Sequence, residues 1–293
     1  MPPVAPVRLH KCSILAARIG DDNSVPASRR LMTARELKRS QYELQFEDGF
    51  ESGELDAGRW LPYYLPHWSS RERSAARYAI EDGCLQLLIE ADQQPWCPEL
   101  DGDVRVSSLQ TGLFCGPVGT TVGQHRFHPD ARVREAQENV RLYTPCHGLI
   151  EVRARAIADP HAMVALWLIG YEDDANRSGE LCVCEVFGRD VTPTEVGVGM
   201  GIHAFGDPNL VEDFARVSVP IDAREFHVYS AEWTPERVSF FVDDEHVKTV
   251  DQSPSYPLQL MLGIYEFPVD GKRAGAYPKR FTVDYVRGFL ARA

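Results

Sequence analysis

Along most of the chain, apolar positions recur at every second residue, and the spacing of an amphipathic helix is nearly absent. In 149–156, Ile150, Val152 and Ala154 alternate with Glu151, Arg153 and Arg155. That is the pattern of a half-buried antiparallel strand. The continuous apolar run 163–169 predicts a strand covered on both faces. A strand over 83–90 follows an Asp82-Gly83 turn. Further strands are predicted at 180–187, 196–203, 227–233, 238–242, 246–250, 259–265 and 281–289. The last has Phe281, Val283 and Tyr285 on one face and Thr282, Asp284 and Val286 on the other. Short strands punctuated by Gly, Pro and Asp predict an all-β sandwich or barrel.

Two stretches break the pattern. Residues 1–40, with Pro2, Pro3, Pro6 and Pro26 among small and polar residues, read as a leader carrying a short helix over 33–38. The folded domain is then 41–293. Residues 116–142 are long and polar, which predicts an inserted loop near a functional face.

A length of 293 residues suits one large all-β domain, and 44% apolar residues supply a core for it. The net charge of −12 repels phosphate backbones, so no nucleic-acid partner is expected and an uncharged substrate fits better. No run approaches the roughly 18 apolar residues of a membrane span. The apolar stretch 12–19 is short, contains Arg18 and is followed by no small-residue cleavage site, so no signal peptide is read and a cytoplasmic location is expected. Seven cysteines cannot all pair within one chain, and mostly reduced thiols are expected. Cys182-Val183-Cys184 lacks a second ligand pair, so neither a metal nor another cofactor is expected.

The chemistry concentrates in Ser178-Gly179-Glu180-Leu181-Cys182-Val183-Cys184-Glu185-Val186-Phe187-Gly188. Two carboxylates lie within an apolar strand, where an unpartnered charge is costly. Side chains alternate along a strand, so Glu180 and Cys182 share a face that Glu185 leaves. The two glutamates share a cleft only if a bulge adds one residue between them. Paired carboxylates are the chemistry of glycoside hydrolysis, one attacking and the other donating a proton.

This segment resembles the active-site strand of glycoside hydrolase family 16, whose bulged form reads Glu-x-Asp-x-x-Glu. The resemblance extends to Phe46-Glu47-Asp48-Gly49-Phe50 with Arg59-Trp60, to Glu81-Asp82-Gly83, and to His147-Gly148-Leu149-Ile150-Glu151-Val152. It continues through Ala165-Leu166-Trp167-Leu168-Ile169-Gly170, Ala231-Glu232-Trp233-Thr234-Pro235 and Val283-Asp284-Tyr285-Val286. It covers about residues 41–293. It implies a concanavalin-A-like jelly roll of two antiparallel sheets with a concave substrate cleft. It implies retaining hydrolysis or transglycosylation of internal β-linkages in a glucan-type polysaccharide, with Glu180 as nucleophile and Glu185 as general acid/base. Two departures stand out. Cys182 replaces the family's middle aspartate, and Met163 replaces the first tryptophan of a Trp-Pro-Ala-x-Trp run whose second is Trp167. Trp167 has core packing as its alternative role, and His203 is either a cleft histidine or a structural one. Trp96, Trp68, Tyr265 and Glu266 are candidates for the cleft ends, with packing as their alternative. The family's convex-side calcium would find Gly49 in place of an acidic ligand, with Asp284 remaining. The altered middle residue leaves a lectin-like carbohydrate binder as the competing reading. A partner-binding protein using the 116–142 insertion is a third.

Overall fold

A computed structural model describes residues 37–268, 273 and 275–292. The predicted leader and its helix over 33–38 fall almost entirely outside these residues. Two antiparallel sheets stack face to face in a jelly roll. The first contains, in spatial order, β14 (Glu245–Val250), β13 (Val238–Val242), β12 (His227–Trp233), β7 (Gly148–Arg155), β16 (Lys279–Ala291), β3 (Cys84–Ile89) and β2 (Arg77–Glu81). β1 (Tyr42–Asp48) pairs with the far half of β16. The second sheet is β11 (Asp213–Val219), β10 (Val196–His203), β9 (Glu180–Val191), β8 (Ala162–Gly170), β15 (Leu258–Glu266) and β4 (Arg105–Gln110). A ribbon of β5 (Gly112–Leu113) and β6 (Val140–Arg141) ties down the base of the insertion.

The alternation in the sequence becomes the core between the sheets. Leu85, Leu87 and Ile89, then Ile150, Val152 and Ala154, then Tyr229, Ala231 and Trp233 face inward from the first sheet. Val164, Leu166 and Leu168, then Val196, Val198, Met200 and Ile202, then Leu258, Leu260, Leu262 and Ile264 meet them from the second. The predicted strands form within about two residues of their expected bounds, except that β9 runs on past Phe187 to Val191. The long strand β16 differs in register. It slips against β7 between Val283 and Tyr285, so Val286 joins Phe281 and Val283 in the core while Tyr285 turns out. Its two-residue alternation therefore stops at Asp284, whose carboxylate is held by Arg153. Strands β1, β2, β4 and β11, with the short β5 and β6, lie outside the predicted set. RVSSLQ has no clean alternation, and edge strand β11 is half-exposed.

The quoted motif at the start of the domain has a structural reason. Asp48 accepts the indole N–H of Trp60 at 2.8 Å and the backbone N–H of Phe50 at 2.9 Å. This locks the chain leaving β1 against the core.

The other face of the second sheet is also covered. Tyr64, Leu65, Trp68, Trp96, Phe127, Ala131 and Val133 come from the segment after β1, from the loop before β4 and from the predicted insertion. They pack on Val106, Met163, Ala165, Trp167, Ile169, Met261 and Tyr265 of β4, β8 and β15. The molecule thus has an aliphatic core between its sheets and an aromatic layer outside the second.

Candidate active site

Strand β9 carries the bulge that its two glutamates require. Against β8, Trp167 lies opposite Cys182 and the next residue back, Leu166, lies opposite Cys184. Against β10, Gly201 faces Cys182 and Gly199 faces Glu185. In both ladders β9 holds one residue more than its partner. Val183 and Cys184 consequently both sit in the inter-sheet core, and Glu185 returns to the face of Glu180 and Cys182. All three are nearly inaccessible, at 0, 1 and 1% exposure for Glu180, Cys182 and Glu185. The Cys182 S–H points toward the Gly199 carbonyl at 3.7 Å. Cys184, on the core side, has its thiol pushed up to about 12 by burial, which makes it an inert packing group.

Neighbouring strands define the surroundings. Opposite Glu180 are Ile169 on β8 and His203 on β10, while Ala165 and Gly199 flank Glu185. The sequence Val196-Gly197-Val198-Gly199-Met200-Gly201-Ile202 sends every branched or long side chain to the core and presents glycines to the site face. A Cβ at Gly199 would lie 2.6 Å from the Phe214 ring and 3.2 Å from the Glu185 Cβ, so only main chain fits beside that carboxylate. Trp167 donates its indole N–H to Tyr265 Oη at 3.1 Å, and Met163 pairs with Phe187 and Tyr265 across the ladder. His203 stacks on Phe214 with ring centres 4.4 Å apart and holds Glu212 through Nδ1.

Six of the predicted residues therefore share one sheet face: Glu180, Cys182, Glu185, Met163, Trp167 and His203. Trp96 lies one aromatic ring removed. It is 1% exposed, donates its N–H to Asp101 at 2.7 Å, and meets Tyr64, which in turn meets Tyr265. Trp68 is likewise internal, with its N–H on the Gln124 carbonyl at 2.8 Å. The Glu266 carboxylate accepts from Tyr277 at 2.6 Å and lies within 3.3–3.5 Å of Arg105, Arg273 and Lys279, a structural ion cluster. Among the described residues no group of three or more His, Cys, Asp or Glu side chains could hold a metal ion.

Sequence reasoning missed the residues that border the Glu180 end. Glu172, His125 and Phe205 come from three separate loops, and nothing in their local sequence links them. The glycine alternation on β10 is legible in the sequence, but its meaning emerges only once β9 is beside it.

Comparisons with known proteins point to one family. The model for "Glycosyl hydrolases family 16" matches residues 142–287, which span β9 and its neighbours. An endo-1,3-1,4-β-glycanase EglC of Rhizobium meliloti is 30% identical over 274 residues, covering 86% of this chain and 53% of that protein. A β-glucanase of Rhodothermus marinus is 27% identical over 165 residues, 48% of this chain and 56% of its own. The chain thus spans about half the length of the curated relatives it matches. Among solved structures, a GlcNAcα1-4Gal-releasing endo-β-galactosidase from Clostridium perfringens superposes with a TM-score of 0.75 at 28% identity, covering 88% of this chain and 65% of that one. With a family match that includes the bulged strand, related sequences along most of its length and the same sandwich in solved structures, the chain belongs to glycosyl hydrolase family 16.

Proposed function

We propose that the protein is an endo-acting glycoside hydrolase that cleaves internal β-linkages of a polysaccharide with retention of configuration. The observation that carries this reading is the bulge in β9, which gives Glu180 and Glu185 a common face with only the short Cys182 between them. Retaining enzymes use carboxyl groups about 5–5.5 Å apart, and two long side chains leaning over a short one suit that spacing.

In the proposed reaction, the Glu180 carboxylate attacks the anomeric carbon while Glu185 gives its proton to the departing glycosidic oxygen. A covalent glycosyl-enzyme and a shortened chain result. Water then loses a proton to Glu185 and displaces Glu180 from the opposite face, which restores both carboxyls. Cys182, with its proton directed at the Gly199 carbonyl, acts as a neutral spacer where the family has a third carboxylate. Trp167 would orient a sugar ring, and His203 and Met163 would border the adjoining positions. The aromatic layer containing Trp96 packs on the same face and would brace that floor from one side.

The names of the relatives favour a β-1,3/1,4-linked glucan as substrate. A glycan with internal β-galactosidic linkages is the second reading, favoured by the likeness to the Clostridium endo-β-galactosidase. The test is release of reducing ends from β-1,3-glucan, mixed-linkage β-glucan and β-galactan, with the anomer of the first product read by NMR. Glu180→Gln should abolish release, and the first product should be the β-anomer. Activity that survives Glu180→Gln sinks the assignment. Retention on a polysaccharide column without any product would make the protein a binder instead.

A further inference from the structure

Next to the proposed catalytic face is a cavity of about 580 Å³ that the proposed reaction does not use. Its walls come from three loops: Thr121–Arg126 of the insertion, Glu172–Ser178 between β8 and β9, and Phe205 with Gly206 after β10. It is continuous with the site through three ring contacts. The His125 ring lies 5.1 Å from both Trp167 and Phe205, and Phe205 lies 5.7 Å from His203, the cross-strand neighbour of Glu180. The loops are tied together, since Ser178 Oγ accepts the Gly206 N–H at 3.0 Å and Glu172 accepts the His125 backbone N–H at 2.6 Å. Phe205, with a left-handed backbone, leaves 37% of itself exposed on a wall of this cavity. An exposed aromatic beside a convergent set of hydroxyl and carboxyl groups is the composition of a sugar-binding site.

We infer that this cavity is a subsite for an uncharged sugar residue of the substrate outside the pair flanking the cleaved bond, stacked on Phe205 and hydrogen-bonded by Glu172. The inference rests on the proposed glycosidase reading. Burial pushes the Glu172 carboxyl up to about 8, the His125 N–H opposing only in part. Charged and titratable groups around it are His125 and Arg126 from the insertion, Asp173 with its partner Arg141, and Tyr256 with its acceptor Asp207. At neutral pH Glu172 is therefore a carboxylic acid, able to donate to one sugar hydroxyl and accept from another. A neutral pyranose suits it, and an acidic sugar does not.

The experiment measures binding of neutral β-gluco- and β-galacto-oligosaccharides of increasing length to the Glu180→Gln protein by calorimetry. Affinity should step up at the length that reaches the cavity. Phe205→Ala in that background should remove the step, about tenfold or more, and leave shorter ligands unchanged. Glu172→Gln should keep the step and Glu172→Ala should reduce it. With Glu172 in place the step should fade above pH 8, and in the Glu172→Gln variant it should persist there. An affinity ladder identical with and without Phe205 overturns the inference while leaving the glycosidase reading intact. No binding by any oligosaccharide, and no hydrolysis by the unmutated protein, overturns both.

Discussion

The two faces of the β8–β9 pair are built from adjacent residues of the same strands, yet they obey different rules. One face is Val164, Leu166 and Leu168 against Leu181, Val183, Cys184 and Val186, an aliphatic layer with no charge. The other, one residue away at every step, is Met163, Ala165 and Trp167 with Glu180, Cys182, Glu185 and Phe187. The first face gains stability from excluding water and needs only volume and shape. The second buries two carboxylates and a thiol, which costs stability unless the surroundings compensate. The chain tolerates the second because the first is so regular. The site is an exception confined to one side of a strand whose opposite side anchors it.

Breaking that division should have the largest effect. Val183→Asp puts a carboxylate onto the aliphatic face of β9, between the sheets. Hydrolysis should fall below detection, with several kcal/mol of stability lost to an unpartnered charge between the sheets. Chemical denaturation and reducing-end assays read the two losses together, and a stable, active variant would dissolve the contrast between the faces. Glu185→Gln keeps the shape and removes the proposed proton donor, for an expected loss of about 10²–10⁴-fold in kcat on a natural glycan with little change in melting temperature. On the core side, Leu166→Ala should cost about 2–5 kcal/mol by denaturant titration, and kcat per folded molecule should stay near that of the parent. Cys182→Asp restores a third carboxylate on the site face. It should change kcat by about tenfold, equivalent to about 1.4 kcal/mol in the barrier, and move the pH optimum. An unchanged pH profile would show that the middle position is electrostatically idle.

The last effect is confined to low pH and concerns the aromatic cover. His67, buried with its Nε2 at 3.2 Å from the Gln124 carbonyl, is driven down to about 3 by loss of hydration. The unfolded chain takes up a proton near 6.5 and the fold does not, so this contribution to stability is complete above about 6.5 and is lost as pH falls toward 3. His67→Gln should flatten that limb in thermal unfolding followed by tryptophan fluorescence.

The parts of this architecture that are legible in the sequence are those governed by period. Ile150, Val152 and Ala154, or the run 163–169, carry their burial in their spacing, and the strands form where that spacing predicts. The bulge is legible for a different reason. Glu180 and Glu185 have the wrong parity for a shared face, and an extra residue is what reconciles them. Parity misleads at Asp284, where the alternation from Phe281 continues on paper while the register slips. Strand β4 escapes the pattern because Ser107 and Ser108 are buried by sheet pairing rather than by hydrophobicity. Residue type places Trp96 at the site, yet its indole is committed to Asp101. Glu172 and Phe205 meet only through loop closure, a tertiary fact with no local trace.

The glycines of β10 have a consequence for how such a protein can change over generations. Beside Glu185 the wall is peptide backbone, and a backbone keeps the same donors and acceptors under any substitution except proline, provided the fold survives. At Gly201, whose φ is 143°, an added Cβ would come within 2.2 Å of the Asp213 carbonyl. That flank is therefore closed to gradual retuning by point mutation. Under the proposed reading, new preferences for sugar or linkage arise from the insertion, the Glu172 loop and the Phe205 turn, so variation and catalysis fall in different stretches of the gene.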